Sequence, residues 1–138
     1  RGAVRALARC EHPLVRAAGL ELISGSGGAR EPDGIELLAR NHLPGDGDLI
    51  AGALPPGPLE AECQHDFDFA LVGYAKARPS TEESIPLLLW VVDRAFYGTC
   101  RRSAAQQLLE HGALPDAMAV ELRHDACAET REAARAWH

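Results

Sequence analysis

Apolar residues recur along this chain at steps of three and four, with almost no strict alternation, so the pattern predicts helices and no convincing strand. The plainest segment runs from Ser84 to Tyr97. Serine can cap it, Pro86 falls where no backbone donor is lost, and apolar residues cover nearly its whole circumference. A helix of that kind must be packed on several sides, which makes it the expected central element. Thr99 can cap the next helix, which carries Cys100, Ala104 and Leu108 at steps of four and stops at Gly112. Pro115 opens a short helix to Arg123, and Asp125 caps a last one in which Cys127, Thr130, Ala134 and Trp137 share a face.

The front half is less regular. Residues 3–10 read as helix, broken at "EHP", with a second helix from Pro13. The segment "SGSGGAREPDG" (Ser24 to Gly34) reads as a flexible loop, followed by helices over about 34–42 and 46–54. The stiff turn "LPPGPLE" ends the second of these. Cys63, Phe67, Ala70, Leu71 and Tyr74 then mark a longer amphipathic helix ending before Pro79. The tally is about eight helices in an all-α domain spanning 1–138, with an irregular Gly/Pro-rich region at 25–60. Connections in the back half are short, so consecutive helices there should lie antiparallel.

One pattern occurs three times, in "HPLVRAAGLELI", "GTCRRSAAQQLL" and "CAETREAARAWH". Aligned on Arg16, Arg101 and Arg131, the preceding residues are Val15, Cys100 and Thr130, and the residues three later are Gly19, Ala104 and Ala134. Seven later stand Ile23, Leu108 and His138, where Trp137 can take over in the last copy. These positions share one helical face, and a small residue in its middle lets two helix axes approach closely. Each arginine lies beside that face, its stem packed and its guanidinium free to bridge to a carboxylate on a neighbouring helix. Asp125 reads as a cap that can also receive such an arginine.

This spacing, with "HP" before the first copy and Asp125 six residues before Arg131, resembles the second helix of a HEAT repeat. The resemblance covers residues 1–24 and 84–138, where a short helix precedes the patterned one, and lapses over 25–83, where the arginine pattern is missing. It implies antiparallel hairpins stacked into a short α-solenoid whose second helices line a concave face. Families of this fold mostly hold other proteins, so it further implies a scaffold or adaptor with no catalysis of its own, contacting another protein or peptide. Glu21, Arg102, Gln106, Glu132 and Arg135 are the positions that would face such a partner. Two further classes share the resemblance: HEAT-like enzymes, such as alkylpurine DNA glycosylases and bilin-attaching lyases, and a regulatory or terminal segment of a larger protein.

Composition narrows this picture. Few aromatics and many alanines favour close-packed helices. The longest apolar run, "IPLLLWVV", is too short to span a membrane, and no signal peptide opens the chain. Arg1 in place of a methionine fits a domain cut from something longer. Four cysteines within helical segments read as reduced and buried, which points to the cytoplasm. The net charge of −6 is uneven: residues 1–30 hold five arginines against two acids, and residues 31–70 nine acids against one arginine. That balance disfavours nonspecific nucleic-acid binding.

Candidate chemistry is thin. Cys10 with His12 and Cys63 with His65 stand two apart, and His124 three before Cys127, but residues two apart on a helix diverge and make poor half-sites, so neither a metal nor a cofactor is expected. In "HDFDF", Phe67 reads as core and Asp66 and Asp68 as exposed acids that diverge too far for a two-carboxylate site. Ser26 and Ser103 lack an adjacent histidine, and "SGSGG" lacks the lysine of a phosphate loop. Asp93 with Arg94, near Trp90, reads as a surface ion pair at a helix end.

Overall fold

The computed structural model describes residues 2–25, 31–77 and 82–136. Among them are nine helices and no strand: α1 (Gly2–Leu7), α2 (Pro13–Ser24), α3 (Glu31–Leu38), α4 (Asp46–Ala53), α5 (Ala61–Ala77), α6 (Ser84–Arg94), α7 (Gly98–Glu110), α8 (Asp116–Leu122) and α9 (Ala128–Arg135). None is long and apolar enough to cross a membrane.

Local chemistry explains most boundaries. The "HP" before α2 is a cap: the His12 ring nitrogen Nδ1 accepts from Leu14 N at 3.1 Å, and Pro13 opens the helix. Gly112 takes φ +63° after α7, the left-handed conformation that ends helices at glycine. The proline-rich turn after α4 offers carbonyls with few local donors. Arg94 supplies them, donating to Pro55 O at 3.1 Å, Gly57 O at 2.9 Å and Pro56 O at 3.1 Å while its guanidinium lies 5.1 Å from the Trp90 ring centroid. Its pairing with the exposed Asp93 is long, 3.9 Å.

Several boundaries differ from the sequence reading. Helix α3 begins at Glu31 rather than Gly34, and α6 stops at Arg94, leaving Phe96 exposed instead of continuing the apolar face. Ser84 is the buried first residue of α6, not its cap. The preceding Glu83 reaches across to α4, where its carboxylate accepts from Gly45 N at 2.9 Å and Gly47 N at 3.0 Å. Helix α7 starts at Gly98, with Thr99 already inside it. Asp125 precedes α9 by a turn and binds Cys127 N at 2.8 Å.

The helices touch in two successions. α1, α3, α5, α7 and α9 contact one another in turn, and so do α2, α4 and α6, with α2 against α3, α6 against α7 and α8 against α9. Within the first succession the N-terminal halves of α3, α5 and α7 meet (Asp33 and Asp66 line one hollow, His65 and Thr99 another), as do the C-terminal halves (Arg40 with Lys76, Lys76 with Gln107). These helices therefore run in one direction. In the second succession Arg16 of α2 meets Asp46 of α4, and Glu83 before α6 meets Gly47 of α4, again start against start.

The core lies between the two successions. Leu38, Ile50, Leu71, Tyr74, Leu87, Leu88, Val91 and Leu108 are fully enclosed there. Gly19, Ala104 and Ala134 all face it. At Gly19 the approach is close: α2 crosses α3 at Gly34, where an added Cβ would fall 2.7 Å from Gly19 O and 2.8 Å from Ile23 Cγ1. Helix α2 thus pairs forward with α3. In the sequence reading it was a second helix like α7 and α9; by contact it belongs to the opposite succession.

Candidate interaction groove

Helix α5 builds the site. Its inward residues Phe67, Ala70, Leu71 and Tyr74 are buried, which turns Phe69, Gly73 and Lys76 outward along a stripe at steps of four and three. Phe69 is 52% exposed, costly for an aromatic ring of that size. Gly73 is mid-helix, and an added Cβ there would meet nothing within 4 Å. The stripe is a low ridge between two hollows.

On one side, against α1 and α3, a hollow of about 490 Å³ is lined by Ala39, Ala70 and Ala77, by Arg5, Arg9, Arg40 and Lys76, and by the single carboxylate of Glu36. The Arg5 guanidinium carbon lies 5.6 Å from the Phe69 ring centroid, within cation–π range. Among the described residues none of these four cations forms an ion pair. On the other side, against α7, a hollow of about 420 Å³ is lined by His65, Val72, Lys76, Thr99, Cys100 and Ser103. A smaller one of about 160 Å³ lies at the N-terminal end, bordered by Asp33, Glu36 and Asp66 together with Arg5.

Behind the second hollow sits a contact that the sequence reading missed. His65 Nδ1 is 3.7 Å from Cys100 Sγ, and its ring packs at 4.5 Å centroid distance on Tyr97. One turn deeper, Asp68 is fully buried, not exposed as expected. Gln64 Nε2 donates to its Oδ1 at 2.7 Å, while Oδ2 has no partner. Burial pushes the Asp68 carboxyl up to about 6, against the smaller opposing effect of the Gln64 bond. Burial also raises the Cys100 thiol, and Asp68 raises it further. A nucleophilic cysteine is favoured by the opposite shift.

The other cysteines correct the expectation of burial: Cys10 and Cys63 are exposed and Cys127 half-buried, with all four free. Among the described residues no group of three or more His, Cys, Asp or Glu side chains could hold a metal ion.

The patterned arginines are all engaged. Arg16 forks onto the buried Asp46, through a short Nη1–Oδ2 contact and an Nη2–Oδ1 bond of 2.7 Å, which raises the guanidinium's affinity for its proton. Arg101 bridges to Glu121 at 3.1 Å and to the nearly buried Asp125 at 3.1 Å, tying α7 to α8 and the turn before α9. Arg131 departs from the expected carboxylate bridge. It donates to the Asp125 and Ala126 carbonyls at 2.7 and 2.9 Å, closing the turn before its own helix.

The five positions expected to face a partner do not lie together. Arg102 and Gln106 on α7 and Glu132 and Arg135 on α9 occupy adjacent helices, with Arg102 3.8 Å from Glu129 of α9. Gln106 also lines a hollow shared with Lys76, which joins this group to the ridge. Glu21 is exposed on α2, in the other succession, because α2 packs on α3 and α4. Trp137 and His138 lie outside the described residues, as does Ser26. Phe69 was legible in outline, since two phenylalanines two apart on a helix cannot both face one core. The gathering of residues 5, 9, 40 and 76 had no local signal. Comparison with protein-family models, curated proteins and solved structures finds no match to this chain.

Proposed function

We propose that this chain is a short HEAT-like stack of helical hairpins working as a scaffold or adaptor, and that it grips a partner polypeptide with the outward face of α1, α3, α5 and α7. The observation that carries this reading is Phe69, half-exposed between two hollows on a ridge that, among the described residues, no other helix covers. The same-direction contacts of α3, α5 and α7 support the stacking half of the proposal, because stacked hairpins place equivalent helices side by side and parallel. Arg102, Gln106, Glu132 and Arg135 extend the face along α7 and α9.

Affinity capture from the native host tests it, with Phe69→Ala and Phe69→Glu as baits beside the unaltered chain. Partners recovered by the unaltered chain should drop out with both variants, whose folding is checked by thermal melting. Equal recovery by all three baits would remove Phe69 from the contact and the reading with it. The stack itself predicts that deleting residues 113–138 lowers the melting temperature while leaving the rest folded; outright loss of helical signal would contradict nearest-neighbour stability.

A further inference from the structure

Resting on that reading, we propose that the hollow between α1, α3 and α5 takes an acidic segment of the partner, with one apolar side chain seated beside Phe69. The chemistry of the hollow points to this occupant. Its lining holds Arg5, Arg9, Arg40 and Lys76 against one carboxylate, Glu36, an excess of cations brought from three helices in a chain whose net charge is −6. Arg9, Arg40 and Lys76 sit at or just beyond the C-terminal ends of α1, α3 and α5, where the helix dipoles favour positive charge. Because the three helices lie side by side with these ends together, their cations converge on one edge.

The helix ends explain why cations are tolerated there, but they leave the donors unused: among the described residues none of the four forms an ion pair. Arg5, in the last turn of α1, lies over Phe69, where it would be desolvated together with the ring by anything seated in the hollow. The floor of Ala39, Ala70 and Ala77 offers apolar surface and room but little hydrogen bonding. A segment with spaced carboxylates and one apolar anchor satisfies both rim and floor, by charge complementarity and burial together. A nucleic acid would also meet the rim, but the net charge of −6 over the whole chain repels an extended polyanion more than a short segment.

Selection from a displayed library of random peptides about twelve residues long tests the inference. The unaltered chain should enrich peptides rich in Asp and Glu around a Leu, Ile or Phe. Their affinity should fall about tenfold or more in Arg5→Glu with Lys76→Glu, and on raising salt. Gly73→Leu, whose new side chain meets no neighbour at its Cβ, should also block them while keeping the fold. Enriched peptides without acidic character, or acidic ones indifferent to all three substitutions, would overturn the inference. If those peptides instead respond to Phe69→Glu or to Arg102→Glu with Arg135→Glu, the binding function stands and only this occupant falls. Enrichment of nothing beyond an unrelated helical control would sink both. Tighter binding of a short DNA duplex than of any selected peptide would replace the acidic peptide with a nucleic acid.

Discussion

Asp68 is the residue whose burial has the most measurable consequence. Its carboxyl keeps a proton up to about pH 6 in the folded chain, while an unfolded aspartate releases it near 4. Between those values the folded state binds more protons, so stability is greatest below about pH 4 and falls as pH rises through 6. At about 1.4 kcal/mol for each unit, the contribution is on the order of 2–3 kcal/mol. Asp68→Asn keeps an acceptor for Gln64 and removes the ionisation. Urea unfolding at pH 5 and pH 8 should show the variant gaining on the parent at the higher pH; an unchanged difference would mean the carboxyl is solvated after all. Thr130 makes a parallel case without a charge. Its buried hydroxyl has no partner, so Thr130→Val should be neutral or stabilise by up to about 1 kcal/mol in the same unfolding assay. Neither burial was readable as a polar cost in the sequence. Thr130 was placed on the core face by its spacing from Ala134, whereas Asp68 looked exposed because it stands in an acidic run beside Asp66.

At the scale of elements, two glycines in helices have opposite roles. Gly34 is pressed against α2, so Gly34→Ala must push Gly19 or Ile23 aside and should destabilise by about 1–3 kcal/mol. Gly73 touches nothing, and Gly73→Ala should stabilise by about 0.5–1 kcal/mol through helix propensity alone. Thermal melts of the two variants should move in opposite directions; a shift of the same sign in both would contradict the difference in packing. The sequence carried the notch at Gly19 but not its partner. Gly34 lies beyond a Gly/Ser-rich segment that reads as loop, and helix α3 starts three residues earlier than its polar composition suggests.

Over the whole molecule, charged bridges hold the successive helices in register. The Arg16–Asp46 fork joins α2 to α4, Glu83 joins the start of α6 to α4, and Arg101 joins α7 to the α8–α9 hairpin. Asp46 is almost fully buried and also accepts from Leu43 N at 2.7 Å, so removing Arg16 leaves its charge without a counter-ion. Arg16→Met should destabilise by roughly 2–4 kcal/mol, and adding Asp46→Leu should recover much of that loss. A double variant no more stable than the single one, measured by urea unfolding, would mean that the fork stabilises through its geometry rather than through mutual neutralisation.

The chain by itself determined that it would be helical, where most helices would lie, and that Gly19, Ala104 and Ala134 would face a core. These follow from apolar spacing, prolines and glycines, which act within a few residues of backbone. Tertiary structure alone decided that α2 pairs with α3, that Asp68 is enclosed, and that residues 5, 9, 40 and 76 meet around one hollow. Each of those depends on which helix lies beside which, a choice made by packing between segments tens of residues apart, and no local spacing encodes it.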